Sequence, residues 1–194
     1  MKKDYEQKRG FGSRVSIIFC EETNTLEFQG SGEILPEDFK EKDIIKDVKK
    51  VVISGDICEI GAFTFEGYSN LEEVECFAPL EKIGHKAFYN CRKLKSFRTT
   101  SSLWFIGKRA FCGCEELQIF KSEKISCYDG NSFYIQEPDD IFIGYQAFES
   151  CRNISEFDLI GRLKRKCGED IEYFKDIIDC SFSGNVKKVF SSLF

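Results

Sequence analysis

Residues 83–94, IGHKAFYNCRKL, decide the fold because the same pattern returns along the chain. It recurs as IGAFTFEGYSNL from Ile60, IGKRAFCGCEEL from Ile106 and IGYQAFESCRNI from Ile143. The shared form is I-G-x-x-A-F-x-x-C-x-x-L-x-x-(V/F). The first three copies begin 23 residues apart, and the fourth begins 37 residues later, which implies an insertion of 14 residues near 122–141. A period of this length indicates a solenoid, in which each copy forms one coil that stacks on the last.

The fixed positions of the repeat predict the interior of the solenoid. Ile and Phe point inward, Gly permits a tight bend, and the A-F pair lies on a short helical or 3-10 segment. The L-x-x-(V/F) segment is extended and pairs with its equivalent in the next coil as a parallel sheet. A buried phenylalanine column is expected at residues 65, 88, 111 and 148. A second apolar column is expected at residues 74, 97, 120 and 157.

Composition and charge exclude several classes of protein. The 194 residues are 42% hydrophobic, which suffices for one buried core. The net charge of −5 argues against a nucleic-acid partner, which usually meets a basic surface. No apolar run reaches about 18 residues, so we expect no membrane insertion. The basic start precedes an apolar stretch, residues 15–20, that is too short for a secretory signal.

Ten cysteines raise the question of disulfides, of metal and of catalysis. Cys91, Cys114 and Cys151 occupy one inward position of the repeat, where a small apolar filler is expected. Without a predicted secretory signal, the thiols are expected to be free, as in a reducing compartment. Cys112 and Cys114 form C-x-C, whereas zinc sites use C-x₂₋₄-C with a second pair of ligands. Glu137 and its acidic neighbours lack the EF-hand spacing.

His85 is the single histidine, and its pairing with Cys91 or Cys114 would be the arrangement of a nucleophile beside a base. Its position in the repeat is variable, with Lys108 and Tyr145 in later copies, so it is expected to face solvent. The sequence therefore predicts no catalytic residue, no metal site and no cofactor. We do not expect an enzyme.

The repeat pattern closely resembles the BspA-type, or Treponema-type, leucine-rich repeat. The segments TLEFQGSGEIL at 25–35 and VKKVVISGDICEIG at 48–61 are similar to the strand cap that precedes such repeats. The resemblance implies an α/β-type repeat solenoid, a right-handed leucine-rich-repeat superhelix. It would carry a parallel concave sheet, an N-terminal strand cap and a C-terminal helical cap.

Four segments follow from this interpretation. Residues 1–13 are polar and predicted to be disordered, and residues 14–56 form the N-terminal cap. Residues 57–160 hold four repeats of 23 residues, including the insertion. Residues 161–194 form a C-terminal cap, in which apolar residues at helical spacing predict helices; a partner-binding helix is the alternative. The insertion is either a neutral loop or part of a binding face.

The resemblance implies a binding module of the adhesin or surface-antigen type. Its partner would be a protein, such as a host matrix or cell-surface protein, or a glycan. The alternative is an intracellular protein-interaction scaffold with the same fold. The family resemblance favours the cell surface, whereas the missing signal peptide and the many cysteines favour the cytoplasm. Residues that flank inward strand positions point outward on the concave sheet. The candidate partner-binding residues there are Glu73, Glu75, Phe77, Ser96, Arg98, Thr100, Ile119, Lys121, Glu123, Glu156 and Asp158.

Overall fold

The structure, a computed structural model, describes residues 2–8, 14–38, 44–101, 103–122, 126–128, 133–135, 141–159, 176, 179, 181 and 182. The N-terminal strands are β1 (Lys2–Lys8), β2 (Arg14–Cys20), β3 (Thr25–Ile34) and β4 (Lys50–Ile60). Then come β5 (Glu73–Cys76), β6 (Lys82–Ile83), β7 (Ser96–Thr99), β8 (Phe105–Ile106), β9 (Ile119–Ser122), β10 (Ser126–Tyr128), β11 (Phe133–Ile135), β12 (Phe142–Ile143) and β13 (Glu156–Phe157). Two 3-10 helices, Pro36–Asp38 and Ile44–Lys46, separate β3 from β4. No helix in the described part of the chain is long and apolar enough to cross a bilayer.

The first three strands form an antiparallel meander that leads into the repeats. β1 pairs with β2, β2 with β3, and β3 then runs parallel to β4. The predicted disorder of residues 1–13 is therefore wrong for Lys2–Lys8. Strand pairing needs only backbone groups, and charged side chains are common on edge strands because they discourage further pairing. Ile34 at the end of β3 pairs with Ile60, so the stacking of equivalent residues begins inside the predicted cap.

Each coil contributes two strands to parallel stacks. The long sheet is the run β1-β2-β3-β4-β5-β7-β9-β13, and the short-strand sheet is β6, β8 and β12 with the end of β4. In the long sheet, Val51, Val74, Phe97, Phe120 and Phe157 are in register. In the short-strand sheet, the register joins the first isoleucine of every repeat, at residues 60, 83, 106 and 143. Parallel pairing across a coil of fixed length turns each repeat position into a column.

The phenylalanine column is present and has one more member than predicted. Phe65, Phe88, Phe111 and Phe148 are fully buried, and their rings stack with centroids 5.0–5.2 Å apart. Phe182 stacks on Phe148 at 4.9 Å. Ser181-Phe182 takes the place of the A-F pair, and the Phe148 N–H donates to the Ser181 carbonyl. The match to A-F is the signal that could have revealed this fifth ring of the column.

The A-F segments are turns, so the described residues do not support the α/β class. Ala87 N–H donates to the Gly84 carbonyl within its own coil, but Phe88 N–H donates to Ala110 of the next coil. This alternation repeats in the other coils and replaces the i to i−4 bonds that a helix needs. The predicted helical cap, residues 161–194, is not supported either. Apart from residues 176, 179, 181 and 182, it lies outside the described residues.

The repeat glycines are required for close approach between coils. A Cβ at Gly84 would lie 2.5 Å from the Ala62 nitrogen, and one at Gly107 would lie 2.6 Å from the His85 nitrogen. These glycines do not have a positive φ, so the predicted bend is not the reason for them. The left-handed residues lie elsewhere in each coil, for example Asn90 with a φ of 60°.

Candidate functional site

The long sheet brings most of the predicted partner-binding residues together on its outward side. One row across the strands is Lys50, Glu73, Ser96, Ile119 and Glu156. The next row is Val52, Glu75, Arg98 and Lys121. Phe77 and Thr100 directly follow β5 and β7. Glu123 lies outside the described residues. We call the outward side of β4, β5, β7, β9 and β13, together with Phe77 and Thr100, the strand face.

Exposure varies greatly across the strand face. Phe77 is 59% exposed, which is unusual for a large apolar side chain in a chain with a filled core. Ser96 is buried, at 9% exposure, so it offers little surface to a partner, contrary to expectation. Ile119 is half-buried, so its exposure lies between that of Phe77 and that of Ser96.

Most charges on the strand face are already paired. Lys50 Nζ lies 3.1 Å from a Glu73 oxygen and 2.6 Å from a Glu75 oxygen. The hydrogen bond to Glu75 raises the pKa of Lys50. At the other end, Lys121 Nζ lies 2.7 Å from Glu156, and this contact lowers the pKa of that carboxylate. Lys50 is not among the residues predicted for this face, although it precedes Val51 as Glu73 precedes Val74.

Arg98 differs from these paired charges. Within the described chain, its guanidinium makes no hydrogen bond and no ion pair, although Glu75 and Lys121 hold the neighbouring positions. Its charge also helps to lower the pKa of Glu156. A shallow depression of about 160 Å³ opens beside it. The depression is lined by Glu75, Cys76, Phe77, Arg98, Thr99 and Thr100.

Asp158 has a structural role, unlike the open position that was predicted for it. Its Oδ2 accepts a hydrogen bond of 2.7 Å from the Ser122 N–H, because the chain turns at residue 158 after the short strand β13. Beneath the strand face, Ser122 Oγ donates to the Ser101 carbonyl at 2.7 Å, and Ser101 Oγ donates to the Leu80 carbonyl at 2.7 Å. Thr99 Oγ1 lies 2.7 Å from Ser101 Oγ. These buried hydroxyls are satisfied within the protein.

The cysteine and histidine candidates are engaged in contacts between coils. The Cys91 thiol donates to the Phe65 carbonyl, and the Cys114 thiol donates to the Phe88 carbonyl, both at 3.1 Å. Burial raises the pKa of Cys114 well above its ordinary value, and hydrogen bonds with Cys151 and Cys91 raise it further. His85 Nδ1 lies 2.6 Å from the Lys108 carbonyl, so that nitrogen carries the proton and donates.

The remaining cysteines do not assemble a metal site within the described residues. No three side chains of His, Cys, Asp and Glu converge there to hold an ion. The described cysteines are all free thiols, and burial raises the pKa of Cys112. Cys127, Cys167 and Cys180, the acidic run 137–140 and their predicted roles lie outside the described side chains.

A second exposed surface was not predicted. Phe142 and Tyr145 are 52% and 54% exposed at the end of the short-strand sheet. The Phe142 ring stacks on Phe105 at 5.1 Å, and the Lys82 ammonium lies 5.0 Å from the Trp104 ring centroid. The aromatic residues are adjacent because their coil positions are equivalent. The change from Lys82 to Phe105 to Phe142 at one position is visible in the sequence.

A family model and one solved structure match the chain. The model of the BspA type leucine rich repeat region, in six copies, matches residues 34–137. A crystal structure of a leucine-rich repeat protein from Eubacterium ventriosum ATCC 27560 is 15% identical, with a TM-score of 0.43. That match covers 80% of this chain and 40% of the other, so this chain spans less than half of that protein's length. No curated protein matches the sequence.

Proposed function

Because the chain belongs to the BspA-type leucine-rich repeat family, we propose that it is a protein-binding module that uses its strand face. The observation that carries the proposal is the pair of Arg98 and Phe77 on adjacent coils. Arg98 has no partner within the described chain, and Phe77 is 59% exposed. Arginine and aromatic residues are enriched at protein interfaces, where they often contribute most of the binding energy.

The rest of the strand face suits the border of such an interface. The ion pairs of Lys50 and Lys121 satisfy the surrounding charges, so they contribute orientation and exclusion of wrong partners more than affinity. The nearly balanced charges along the rows do not resemble the basic stripe of a nucleic-acid binder. A protein partner is therefore favoured over a nucleic acid.

Two biological settings remain for this function. Family resemblance favours an adhesin or surface antigen, which would bind a host matrix or cell-surface protein. The free thiols favour an intracellular scaffold. Thiol titration of protein isolated without reductant from its native source distinguishes the two settings. Ten titratable thiols after denaturation support the scaffold, and fewer support an oxidising compartment.

The binding test compares two double variants with matched charge changes. Arg98→Glu with Lys121→Glu reverses one free and one paired cation on the strand face. The control, Arg92→Glu with Arg152→Glu, does the same on exposed turns away from it: Arg92 lies 3.9 Å from Glu115, and Arg152 makes no described contact.

The unmodified protein and the two double variants are immobilised and incubated with a cell-surface extract, a cytosolic extract and purified matrix proteins. We expect the strand-face variant to bind its partner at least about tenfold more weakly, since a desolvated charge contact contributes about 1.5–3 kcal/mol. The control should capture it normally. Equal capture by both variants, or a loss that appears only on Phe142→Ser with Tyr145→Ser, would refute the proposal.

A further inference from the structure

We infer that the depression between Phe77 and Arg98 is a subsite for one acidic peptide residue with an apolar neighbour. The inference rests on the proposed function and specifies the chemistry of the partner. The carboxylate would form a two-pronged pair with the Arg98 guanidinium, and the apolar side chain would lie against the Phe77 ring.

The charges around the depression favour a single carboxylate. Arg98 presents five N–H donors in a fixed plane, which match the two oxygens of a carboxylate. Glu75 also lines the depression, but the Lys50 ammonium lies 2.6 Å from it and offsets its negative charge. Lys121 is likewise occupied by Glu156. The cations Lys50, Arg98 and Lys121 are matched in number by Glu73, Glu75 and Glu156. Arg98 is the one of these three cations that makes no ion pair with the described residues, which suits a monoanionic group better than a polyanion.

The size and apolar lining of the depression agree with one side chain. Its volume of about 160 Å³ is close to that of a cavity of roughly 150 Å³ that holds one benzene molecule. Phe77 provides an exposed ring that lines it, and covering such apolar surface favours binding. Arg98 and Phe77 lie on neighbouring coils, so a short peptide segment reaches both.

The hydroxyl groups of the depression argue for a peptide over an acidic sugar. Thr99 Oγ1 is bonded to Ser101 Oγ at 2.7 Å, and Thr100 Oγ1 donates to the Cys76 carbonyl at 3.5 Å. A sugar acid would need several further partners for its own hydroxyls, and buried hydroxyls without partners are costly. A carboxylate beside an apolar side chain needs only Arg98 and Phe77.

The test uses the full chain, labelled with ¹⁵N, and four small probes. They are acetyl-Glu-Phe-amide, acetyl-Gln-Phe-amide, acetyl-Glu-Gly-amide and glucuronic acid. Each is titrated while the amide signals of Phe77 and Thr100 are followed by NMR. The same titrations are made on Arg98→Gln and on the control Arg152→Gln, with circular dichroism to confirm that both fold.

We expect acetyl-Glu-Phe-amide to shift both signals, with each of the other three probes binding at least about fivefold more weakly. Arg98→Gln should weaken the first probe about tenfold or more, as expected for loss of a charged hydrogen bond, while Arg152→Gln should not. The inference is overturned if the Glu and Gln probes bind equally, if glucuronic acid binds as well as the peptide, or if the two variants behave alike.

The outcome is separate from that of the proposed function. A partner captured through the strand face, without binding of the Glu-Phe probe, would reject the subsite and leave the proposed function intact. Binding of the probe, with capture that ignores Arg98 and Lys121, would reject the proposed function and leave the subsite.

Discussion

Replacing Gly84 with Ala tests whether the repeat glycines are needed for close approach between coils. The new Cβ would lie 2.5 Å from the Ala62 nitrogen and 2.6 Å from the Gly61 carbonyl carbon. Ordinary contacts of a Cβ begin at 3.4 Å, so the backbones must separate by about 0.9 Å. The Gly84 N–H also donates to the Ile60 carbonyl at 2.7 Å, so separating the coils weakens that bond.

The expected cost follows from these two effects. Overpacking a filled interior costs about 1–3 kcal/mol, and weakening one or two hydrogen bonds between coils adds about 1 kcal/mol each. We therefore expect Gly84→Ala to lower the free energy of unfolding by about 2–5 kcal/mol. At about 2–4 °C per kcal/mol for a chain of this size, the melting temperature should fall by roughly 10 °C.

Gly67 provides the matched control because it lies in the same coils, at the position of Asn90, and has a different requirement. Its φ is +77°, and nothing lies within 4 Å of a Cβ built on it. Gly67→Ala should therefore cost only the left-handed strain of about 1 kcal/mol. Gly67→Asn should cost less, since Asn90 holds the equivalent position at a φ of 60°. Melting by circular dichroism and by calorimetry measures all three. Equal destabilisation by Gly84→Ala and Gly67→Ala would refute the close-approach argument.

Three further predictions concern the interior. Phe111→Ala removes a ring stacked between two others and should lower the free energy of unfolding by about 3–5 kcal/mol. The control Phe63→Ala, at a ring that is 40% exposed, should cost about 1 kcal/mol or less. Similar urea midpoints for Phe111→Ala and Phe63→Ala would contradict the importance of the phenylalanine column. Burial raises the pKa of Cys76 to about 11 from 9.0. Its contribution to stability is therefore complete well below pH 9 and declines by about 2 kcal/mol as the pH rises to 11, because the unfolded thiol ionises first. In urea titrations at a series of pH values, Cys76→Ala should reduce this loss of stability between pH 9 and 11. An unchanged dependence of stability on pH would contradict the assignment of the loss to Cys76. With a thiol reagent at pH 8, exposed Cys58 should react at once and buried Cys114 only at the rate of unfolding; fast reaction of Cys114 would be inconsistent with a closed interior.

Sequence periodicity predicted the columns well because a coil of fixed length places equivalent residues in contact. Phe65 and Phe88 stack as expected, and Cys91 is buried as expected. The same reasoning missed Phe182 because residues 161–194 preserve few other repeat positions. It also gave the wrong reason for Gly84, since a sequence does not show how near the neighbouring backbone lies.

The candidate site was predictable only in outline. Alternation along a strand placed Glu75, Arg98 and Lys121 on one side of the sheet, and the structure has them in one row. Which charges are free depends on lateral neighbours, and Lys50 belongs to a segment that the sequence analysis treated as a cap. Asp158 likewise holds an outward position in the sequence pattern, but its carboxylate accepts a hydrogen bond from the Ser122 N–H.

The sequence by itself determined a stack of coils and the residues that fill it, because burial of a repeated apolar pattern has one periodic solution. Only the tertiary structure decided that the A-F segments are turns, that a fifth rung exists and that Arg98 is left unpaired. These features depend on distances between backbones and side chains of different coils. Such distances are set by how the coils pack against one another, and the spacing of residues within a single repeat does not contain them.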